Sequence, residues 1–257
     1  MKKLRLAVFG TCPDDVDIGV GGTMAKHAKA GDEVYVIVLS GGELGGGPMP
    51  PEEVKKARIK EEEAACKIYG VKEVRVLNFQ DCRFVATLEA KLILTDVIRE
   101  IKPDIVIASW INDKHPNLRE LGIAVCDACL LSTLEALKTK YPPHIVGNIY
   151  LWGSIGFAMG FRPDLYIDIT DTIELKKKGL EQFKLSYEAS WAGSKDIWFN
   201  YWGEAVPRVW GFNCGVKYAE AFKTYYIPLH SGKSAMDMLP RPDMSDAVFY
   251  QLKYTKK

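Results

Sequence analysis

The chain has 257 residues, and 34 lysines and arginines against 33 aspartates and glutamates give it a formal net charge of +1. This balance offers no basic surface for nucleic acid or an acidic membrane, and the length suits one large α/β domain or two small domains. Six cysteines are too few for a disulfide scaffold and are typical of a reducing compartment.

No apolar run is suited to membrane insertion. Residues 4–9 are apolar but include Arg5 and end at Gly10, which is unlike a signal peptide. The longest uncharged stretch, residues 145–161, is interrupted by glycines and is too short to cross a bilayer. We therefore expect a soluble cytoplasmic protein.

The first half of the chain alternates between strand and helix patterns. The predicted strands are residues 4–9, 33–39, 71–77 and 104–110, and the predicted helices are residues 19–30, 52–69, 88–101 and 118–137. Strands separated by helices are typical of a parallel sheet covered on both faces. The sequence predicts an α/β fold: three layers, with a Rossmann-like, mostly parallel sheet.

The second half is less regular. Its predicted strands are residues 145–152 and 165–169, its predicted helices are residues 172–187 and 208–221, and residues 247–254 are predicted as an edge strand or an arm. No linker separates two parts of the chain. We expect a single domain over residues 1–257 with an irregular C-terminal half.

Polar and glycine residues are concentrated in the loops that follow the first four predicted strands. These loops are residues 10–22, 40–51, 78–84 and 111–118. Ligands of parallel sheets bind at the carboxyl ends of the strands, where such loops meet. We expect the functional site at this edge of the sheet.

The first of these loops carries two adjacent acids, Asp14 and Asp15. Adjacent side chains in a loop point to different sides, so one acid can bind a cation while the other transfers protons. The alternative is that one of them only caps the following helix. The glycines of this loop also suggest nucleotide binding, but the G-x-G-x-x-G spacing would need glycine where Met24 stands.

His115 is the candidate of the fourth loop. It lies between polar residues and directly before Pro116, at a predicted helix start, so it is not part of an apolar face. A lone histidine in such a place is more often structural than functional. Its place at the same sheet edge as Asp14 and Asp15 favours a functional role.

Several further motifs occur in a fixed order along the chain. They are Gly21-Gly22-Thr23, Ser40-Gly41-Gly42-Glu43, Arg58-Ile59-Lys60-Glu61, Asn78-Phe79-Gln80-Asp81, Asp113-Lys114-His115-Pro116, Asp168-Ile169-Thr170 with Lys176, and residues 215–222. Together with the acidic loop they resemble the LmbE-like (PIG-L) family of zinc-dependent de-N-acetylases. The resemblance covers about residues 6–228 and leaves 229–257 as a C-terminal extension.

The resemblance implies a role for each matching residue. Asp14 would be the general base, Asp15 a metal ligand and His115 the partner of the oxyanion. Zinc or another divalent metal would be the cofactor, and a small N-acetylated aminosugar conjugate would be the substrate. The residues expected to bind the substrate are Arg58, Asp81 and Asp113, together with Trp110, which is chosen for its place just before the His115 loop.

Two positions depart from the family pattern. Cys12 stands where the family has its first ligand histidine, and Leu118 stands where it has the third. A thiolate binds zinc at about 2.3 Å, against about 2.0 Å for imidazole, whereas leucine binds no metal. A catalytic zinc normally has three protein ligands, so the site is one ligand short unless His115, Asp113 or Cys82 replaces the third. The alternatives are that Asp113 orients His115 and that Cys82 only fills its loop.

Two functions therefore stay open. The first is an N-deacetylase-like amidohydrolase, in which a metal polarises the amide carbonyl, Asp14 transfers protons and His115 stabilises the oxyanion. Its activity could be impaired, because Cys12 and Leu118 replace ligand histidines. The second is a metal-free, non-hydrolytic member that binds a sugar-like ligand or acts as a structural or partner subunit. The resemblance also implies a homo-oligomer.

Two further patterns have ordinary alternatives. An aromatic cluster, defined here as Tyr187, Trp191, Trp198, Phe199, Tyr201, Trp202, Trp210 and Phe212, could pack an irregular region, form a subunit interface or stack on a sugar. Cys126 and Cys129 form a C-x-x-C pattern about two turns inside a predicted helix. Redox motifs of this kind lie at helix starts, so core packing is the favoured interpretation.

Overall fold

Strands and helices alternate through the first half of the computed structural model, which describes residues 3–154, 157–189, 194–226 and 247–248. The elements of this half are β1 (Arg5–Gly10), α1 (Asp15–Lys29), β2 (Glu33–Val38), α2 (Pro51–Tyr69), β3 (Glu73–Val76), α3 (Leu88–Ile101), β4 (Ile105–Ser109) and α4 (Pro116–Ser132). All eight predicted elements are present, with small differences at their ends.

The second half holds shorter elements. They are β5 (Asn148–Trp152), β6 (Leu165–Asp168), α5 (Ile173–Leu180), α6 (Lys184–Ala189), α7 (Lys195–Trp198), a π-helical segment (Phe199–Ala205), α8 (Val206–Cys214), β7 (Ala219–Tyr225) and β8 (Ala247–Val248). Among the described helices, none combines the length and the apolar character needed to cross a membrane.

The strands of the described ranges form one mixed sheet in the order β3-β2-β1-β4-β5-β7-β6-β8. The first five strands of this order are parallel, and β7, β6 and β8 join by antiparallel pairing. The two sheet faces pack into separate hydrophobic cores. In β1, for example, Leu6 and Val8 pack on one side while Ala7 and Phe9 pack on the other. The predicted mostly parallel α/β fold is confirmed.

Two helix predictions in the second half are wrong. The predicted helix 172–187 is divided into α5 and α6, and Phe183, in the turn between them, is fully buried in the core. The predicted helix 208–221 ends at Cys214 because Gly215 takes a left-handed φ of 79°, and the chain continues as β7. Apolar periodicity misses both breaks, although Gly215 itself is a local signal for a helix end.

The C-terminal predictions are tested only in part. The predicted edge strand is present over Ala247–Val248, where it pairs with β6. Residues 249–254 and the other residues of the 229–257 extension lie outside the described residues, as does Trp191 of the aromatic cluster.

A buried ion pair makes hydrogen bonds to the backbone in the middle of helix α1. Lys176 Nζ lies 2.5 Å from Glu220 Oε1, and both side chains are almost fully buried. Lys176 also donates to the carbonyl of Ile18, while the Glu220 carboxylate accepts from the backbone N–H groups of Gly22 and Thr23. The pair thereby ties α1 to α5 and β7 and sets the position of the loop before α1.

We predict that Lys176→Met lowers the free energy of unfolding by about 3–5 kcal/mol, because it leaves the Glu220 carboxylate buried without its partner. Urea denaturation measures this change. The matched control is Lys178→Met, at an exposed position of the same helix, where we expect a change within about 0.5 kcal/mol. Equal effects of the two substitutions would contradict the prediction.

Candidate active site

A cavity of about 330 Å³ opens where the carboxyl ends of the parallel strands meet. Its polar wall is formed by Cys12, Asp14, Asp15, Arg58, Asp81 and His115. Its apolar wall includes Ile18, Leu118, Trp152, Phe157, Trp198 and Trp202. The site therefore lies at the predicted sheet edge, and this volume is within the usual range for small-molecule sites.

The loop after β1 places Asp14 in a strained backbone conformation. Asp14 has a φ of 90°, in the left-handed region that non-glycine residues rarely adopt. Its N–H donates to Oε2 of the buried Glu62 at 3.1 Å. Its side chain makes no capping bond to α1, so the alternative of a simple helix cap does not describe Asp14.

Asp15 is held by the chain that precedes it. Its Oδ2 accepts from the N–H of Thr11 at 2.9 Å and from the N–H of Cys12 at 3.1 Å, and it also contacts the Thr11 hydroxyl. The Cys12 thiol lies 3.7 Å from the same oxygen. Burial raises the pKa of Cys12 well above its usual range, so this thiol is protonated until a cation replaces the proton.

Arg58 is buried and uses its two terminal nitrogens within the protein. Nη2 lies 2.8 Å from Asp14 Oδ2, 2.7 Å from the Pro13 carbonyl and 3.1 Å from Ser186 Oγ, while Nη1 donates to the Gly42 carbonyl at 3.0 Å. Burial raises the pKa of Asp14 to about 7, and the Arg58 charge opposes this rise. Asp14 can therefore bind or release a proton near neutral pH.

Cys12, Asp14 and Asp15 each offer a ligand atom, and these atoms lie within 4.8 Å of one another. This is the only such group of three or more among the described residues. A thiolate and two carboxylates are donors that zinc accepts, so the residues present fit a divalent cation. The replacement ligands considered from the sequence, His115, Asp113 and Cys82, are not part of the group.

The fourth loop presents His115 at the cavity, while Asp113 supports the loop from behind. Asp113 Oδ1 accepts from the backbone N–H of His115 at 2.8 Å, and its Oδ2 accepts from Ser154 Oγ at 3.1 Å. Asp113 is buried and is not among the residues that line the cavity, which favours the alternative that it orients His115 over a contact with substrate. Its place in the structure is that of a support for His115.

Of the two other residues expected to contact substrate, Asp81 lines the cavity and Trp110 does not. Asp81 lines the cavity and accepts from the N–H of Leu44 at 3.0 Å, which connects the loops after β2 and β3. Trp110 does not line the cavity. Its Nε1 donates to the Met159 carbonyl at 2.9 Å, and its ring packs edge-to-face on Phe161. The side chain of Trp110 is half-buried there, and its expected contact with substrate stays a prediction.

Sequence reasoning missed several residues of the cavity wall: Trp152, Ser154, Phe157 and Ser186. Trp152 is the last residue of β5, so the strand-end rule applied to the fifth strand would have found it. A Cβ at Gly19 would lie 2.4 Å from the Trp152 ring. Close packing against this ring therefore explains the glycine in α1, and no bound nucleotide is needed.

The structure divides the aromatic cluster of the sequence analysis. Trp198 and Trp202 line the cavity with rings edge-to-face at 6.5 Å, while Phe212 is 86% exposed. The i, i+4 spacing of the two tryptophans was the available signal. The C-x-x-C pattern is core packing, since Cys126 and Cys129 are both buried within α4.

We predict that Asp14→Asn changes how stability depends on pH in chelator-treated protein. Burial holds the Asp14 pKa at about 7, against an ordinary value of 3.8, so the folded native chain binds more protons than the unfolded chain in that interval. Its stability therefore falls as pH rises from 4 to 7. The variant lacks this fall, so its stability relative to the native chain rises by up to about 1.4 kcal/mol per pH unit.

Urea denaturation at several pH values measures the slope. Glu135→Gln, which removes an exposed carboxylate, is the matched control. Parallel curves for Asp14→Asn and the native chain would contradict the prediction.

Comparison with known proteins supports the resemblance inferred from the sequence. Residues 7–129 match the profile of the family described as PIG-L: GlcNAc-PI de-N-acetylase. The chain is 28% identical over 227 residues to the diacetylchitobiose deacetylase of Thermococcus kodakarensis, covering 84% of this chain and 80% of that protein. The predicted resemblance to the LmbE-like (PIG-L) family is confirmed.

Two further relatives extend the comparison. A solved structure of the N,N'-diacetylchitobiose deacetylase of Pyrococcus horikoshii, in complex with an inhibitor, has a TM-score of 0.76 and 25% identity, covering 89% of this chain and 88% of that one. The 4-oxalmesaconate hydratase of Pseudomonas putida is 27% identical over 199 residues, covering 73% of each chain. The proteins that this chain resembles therefore include both deacetylases and a hydratase.

Proposed function

We propose that this chain, a relative of the PIG-L de-N-acetylases in sequence and fold, hydrolyses the N-acyl bond of a small N-acetylated aminosugar conjugate. The observation that carries the proposal is the convergence of Asp14, Asp15, Cys12 and His115 on one cavity at the carboxyl edge of the sheet. An amide hydrolase needs a proton-transfer group, a group for the oxyanion and a means to activate water, and these residues provide such groups.

Asp14 is the proton-transfer group. With a pKa of about 7 it accepts a proton from the attacking water and returns one to the leaving amine. Arg58 and Ser186 hold its carboxylate, and Glu62 holds its backbone N–H. Asp14 is therefore oriented before a substrate enters.

His115 is the group for the oxyanion. Its ring lies in the cavity wall, so it can donate a hydrogen bond to the oxygen of the tetrahedral intermediate. Asp113 and Ser154 hold the loop that carries it. A donor at this place strengthens its hydrogen bond as negative charge develops on the oxygen.

Cys12 and Asp15 would hold a divalent cation, and the carboxylate of Asp14 lies within 4.8 Å of both, close enough to act on a water beside that cation. Such a cation, when bound, polarises the amide carbonyl and lowers the pKa of water. The high pKa of the Cys12 thiol means that this residue must lose its proton when it becomes a ligand. We therefore expect cation affinity to increase with pH.

One observation favours the alternative of a metal-free, non-hydrolytic protein. Leu118, at the position of the family's third ligand, lines the cavity with an apolar side chain that is almost fully buried. A cavity without the cation could still bind a sugar-like ligand. The cytoplasmic location and the homo-oligomer remain proposals that cell fractionation and sedimentation velocity would test.

The test of the proposed function is acetate release from N,N'-diacetylchitobiose by chelator-treated protein, with and without added zinc. We expect release only with zinc and a decrease in kcat of about 10²–10⁴-fold in Asp14→Asn, because general acid–base transfer is lost. Glu135→Gln controls for protein quality. No release by zinc-loaded native protein would favour the non-hydrolytic alternative.

We predict that Leu118→His tightens zinc binding by more than about tenfold, since even residues outside the ligand shell change metal affinity by about 10–100-fold. Competition with a chromophoric chelator measures this affinity without any turnover. Leu118→Met, which keeps the position apolar, is the matched control. Unchanged affinity in Leu118→His would show that position 118 does not face the cation.

A further inference from the structure

One oxygen of the Asp15 carboxylate accepts every hydrogen bond that this side chain makes within the described ranges. Oδ2 accepts from the backbone N–H groups of Thr11 and Cys12, at 2.9 and 3.1 Å, and from the Thr11 hydroxyl. Oδ1 accepts none of them. Asp15 is half-buried, and Oδ1 is not among the fully buried atoms that lack a partner, so this oxygen keeps accessible surface. The carboxylate is therefore fixed through one oxygen and open at the other.

Thr11, which supplies two of these donors, is itself held by the end of the neighbouring strand. Its carbonyl accepts from the N–H of Ser40 at 3.0 Å and from the Ser40 hydroxyl at 3.1 Å. Ser40 Oγ in turn accepts from the N–H of Gly42 at 3.2 Å. Thr11 is only 1% exposed, so its hydroxyl does not turn towards solvent. The support of Asp15 is thus connected to the loop after β2.

A hydroxyl in this place suits the support of a metal ligand. Carboxylates that bind a metal are themselves held by hydrogen bonds, and loss of such an outer partner typically lowers metal affinity about 10–100-fold. The Thr11 oxygen also lies 3.9 Å from Cys12 Sγ, so one side chain adjoins both donors of the proposed cation site. The ordinary alternative is that this hydroxyl only keeps the loop in shape, in which case its loss would leave metal affinity unchanged.

We propose that Thr11 is a positioning residue for the cation site. Its hydroxyl and N–H groups fix Asp15 Oδ2, so that Oδ1 is the carboxylate oxygen offered to a divalent cation held together with Cys12. Thr11 would not be a ligand, because its hydroxyl is used by Asp15. This inference rests on the cation of the proposed function and adds the residue that orients its carboxylate ligand.

The test measures the zinc affinity of chelator-treated protein by competition with a chromophoric chelator, which involves no turnover. Thr11→Val keeps the branched shape and removes the hydroxyl, so we expect zinc binding to weaken about 10–100-fold. Thr11→Ser keeps the hydroxyl, and we expect its affinity to stay near the native one. Thr133→Val, the same change at a residue that does not line the cavity, is the matched control.

Thermal melting without metal shows whether each variant is folded. Thr11→Ala also lacks the hydroxyl and avoids a methyl group against the carboxylate, so it replaces Thr11→Val if that variant does not fold. We expect the same loss of zinc affinity from it. If neither variant folds, the hydroxyl is structural and the inference is overturned.

Each affinity result decides the inference. Weaker zinc binding by Thr11→Val or Thr11→Ala, with Thr11→Ser and Thr133→Val like the native chain, supports it whether or not acetate is released. Equal affinity in all variants overturns it, even if deacetylation is observed, and leaves the proposed function standing. A loss as large in Thr11→Ser or Thr133→Val also overturns it, as does absence of zinc binding by the native chain. Acetate release by zinc-loaded native protein is measured separately, and its absence overturns the proposed function alone.

Discussion

The buried guanidinium of Arg58 is the contact on which the geometry of the site depends. It joins the loop after β1, the loop after β2 and helix α6, which are distant in sequence. One helical turn later, Glu61 accepts from the N–H of Leu185, so α2 holds α6 at two points. A planar group with several donors in fixed directions suits this role better than the flexible ammonium of lysine. The catalytic loop and the irregular half of the chain are thus held in one arrangement.

Burial at this junction also sets the chemistry. Asp14 is removed from water, which raises its pKa, while the Arg58 charge limits the rise and leaves the carboxyl group at about 7. The same burial keeps the Cys12 thiol protonated in the absence of a cation. Asp14 therefore remains responsive to protons near neutral pH, whereas Cys12 would have to exchange its proton for the proposed cation before it could act as a ligand. One environment produces two different roles from two neighbouring residues.

The two walls of the cavity come from different parts of the chain. The polar wall comes mainly from loops of the parallel half-sheet, and it carries the groups of the proposed amide hydrolysis. The apolar wall includes Trp198 and Trp202, at and just after the end of α7, in the half of the chain that has no regular alternation. The groups of the proposed reaction and the aromatic surface thus lie on different parts of the chain. The deacetylase and the hydratase that this chain resembles accord with such a division.

The sequence by itself determined the α/β fold, the sheet edge that holds the site, and Asp14, Asp15, Cys12, Arg58, Asp81 and His115 as residues of that site. The fold and the sheet edge follow from local periodicity and from the rule that parallel strands present their carboxyl ends together, whereas Cys12, Arg58 and Asp81 follow from the resemblance to the LmbE-like family. Only the tertiary structure decided that Asp113 supports His115 from behind, that Trp110 packs beside another loop, and that Trp152, Trp198 and Ser186 complete the wall. The physical reason is that these placements depend on contacts between segments distant in sequence. For example, the helix ends before Gly215 and the chain continues as β7. The carboxylate of Glu220 in β7 then accepts a hydrogen bond from the backbone N–H of Gly22 in α1. No local pattern records such a contact.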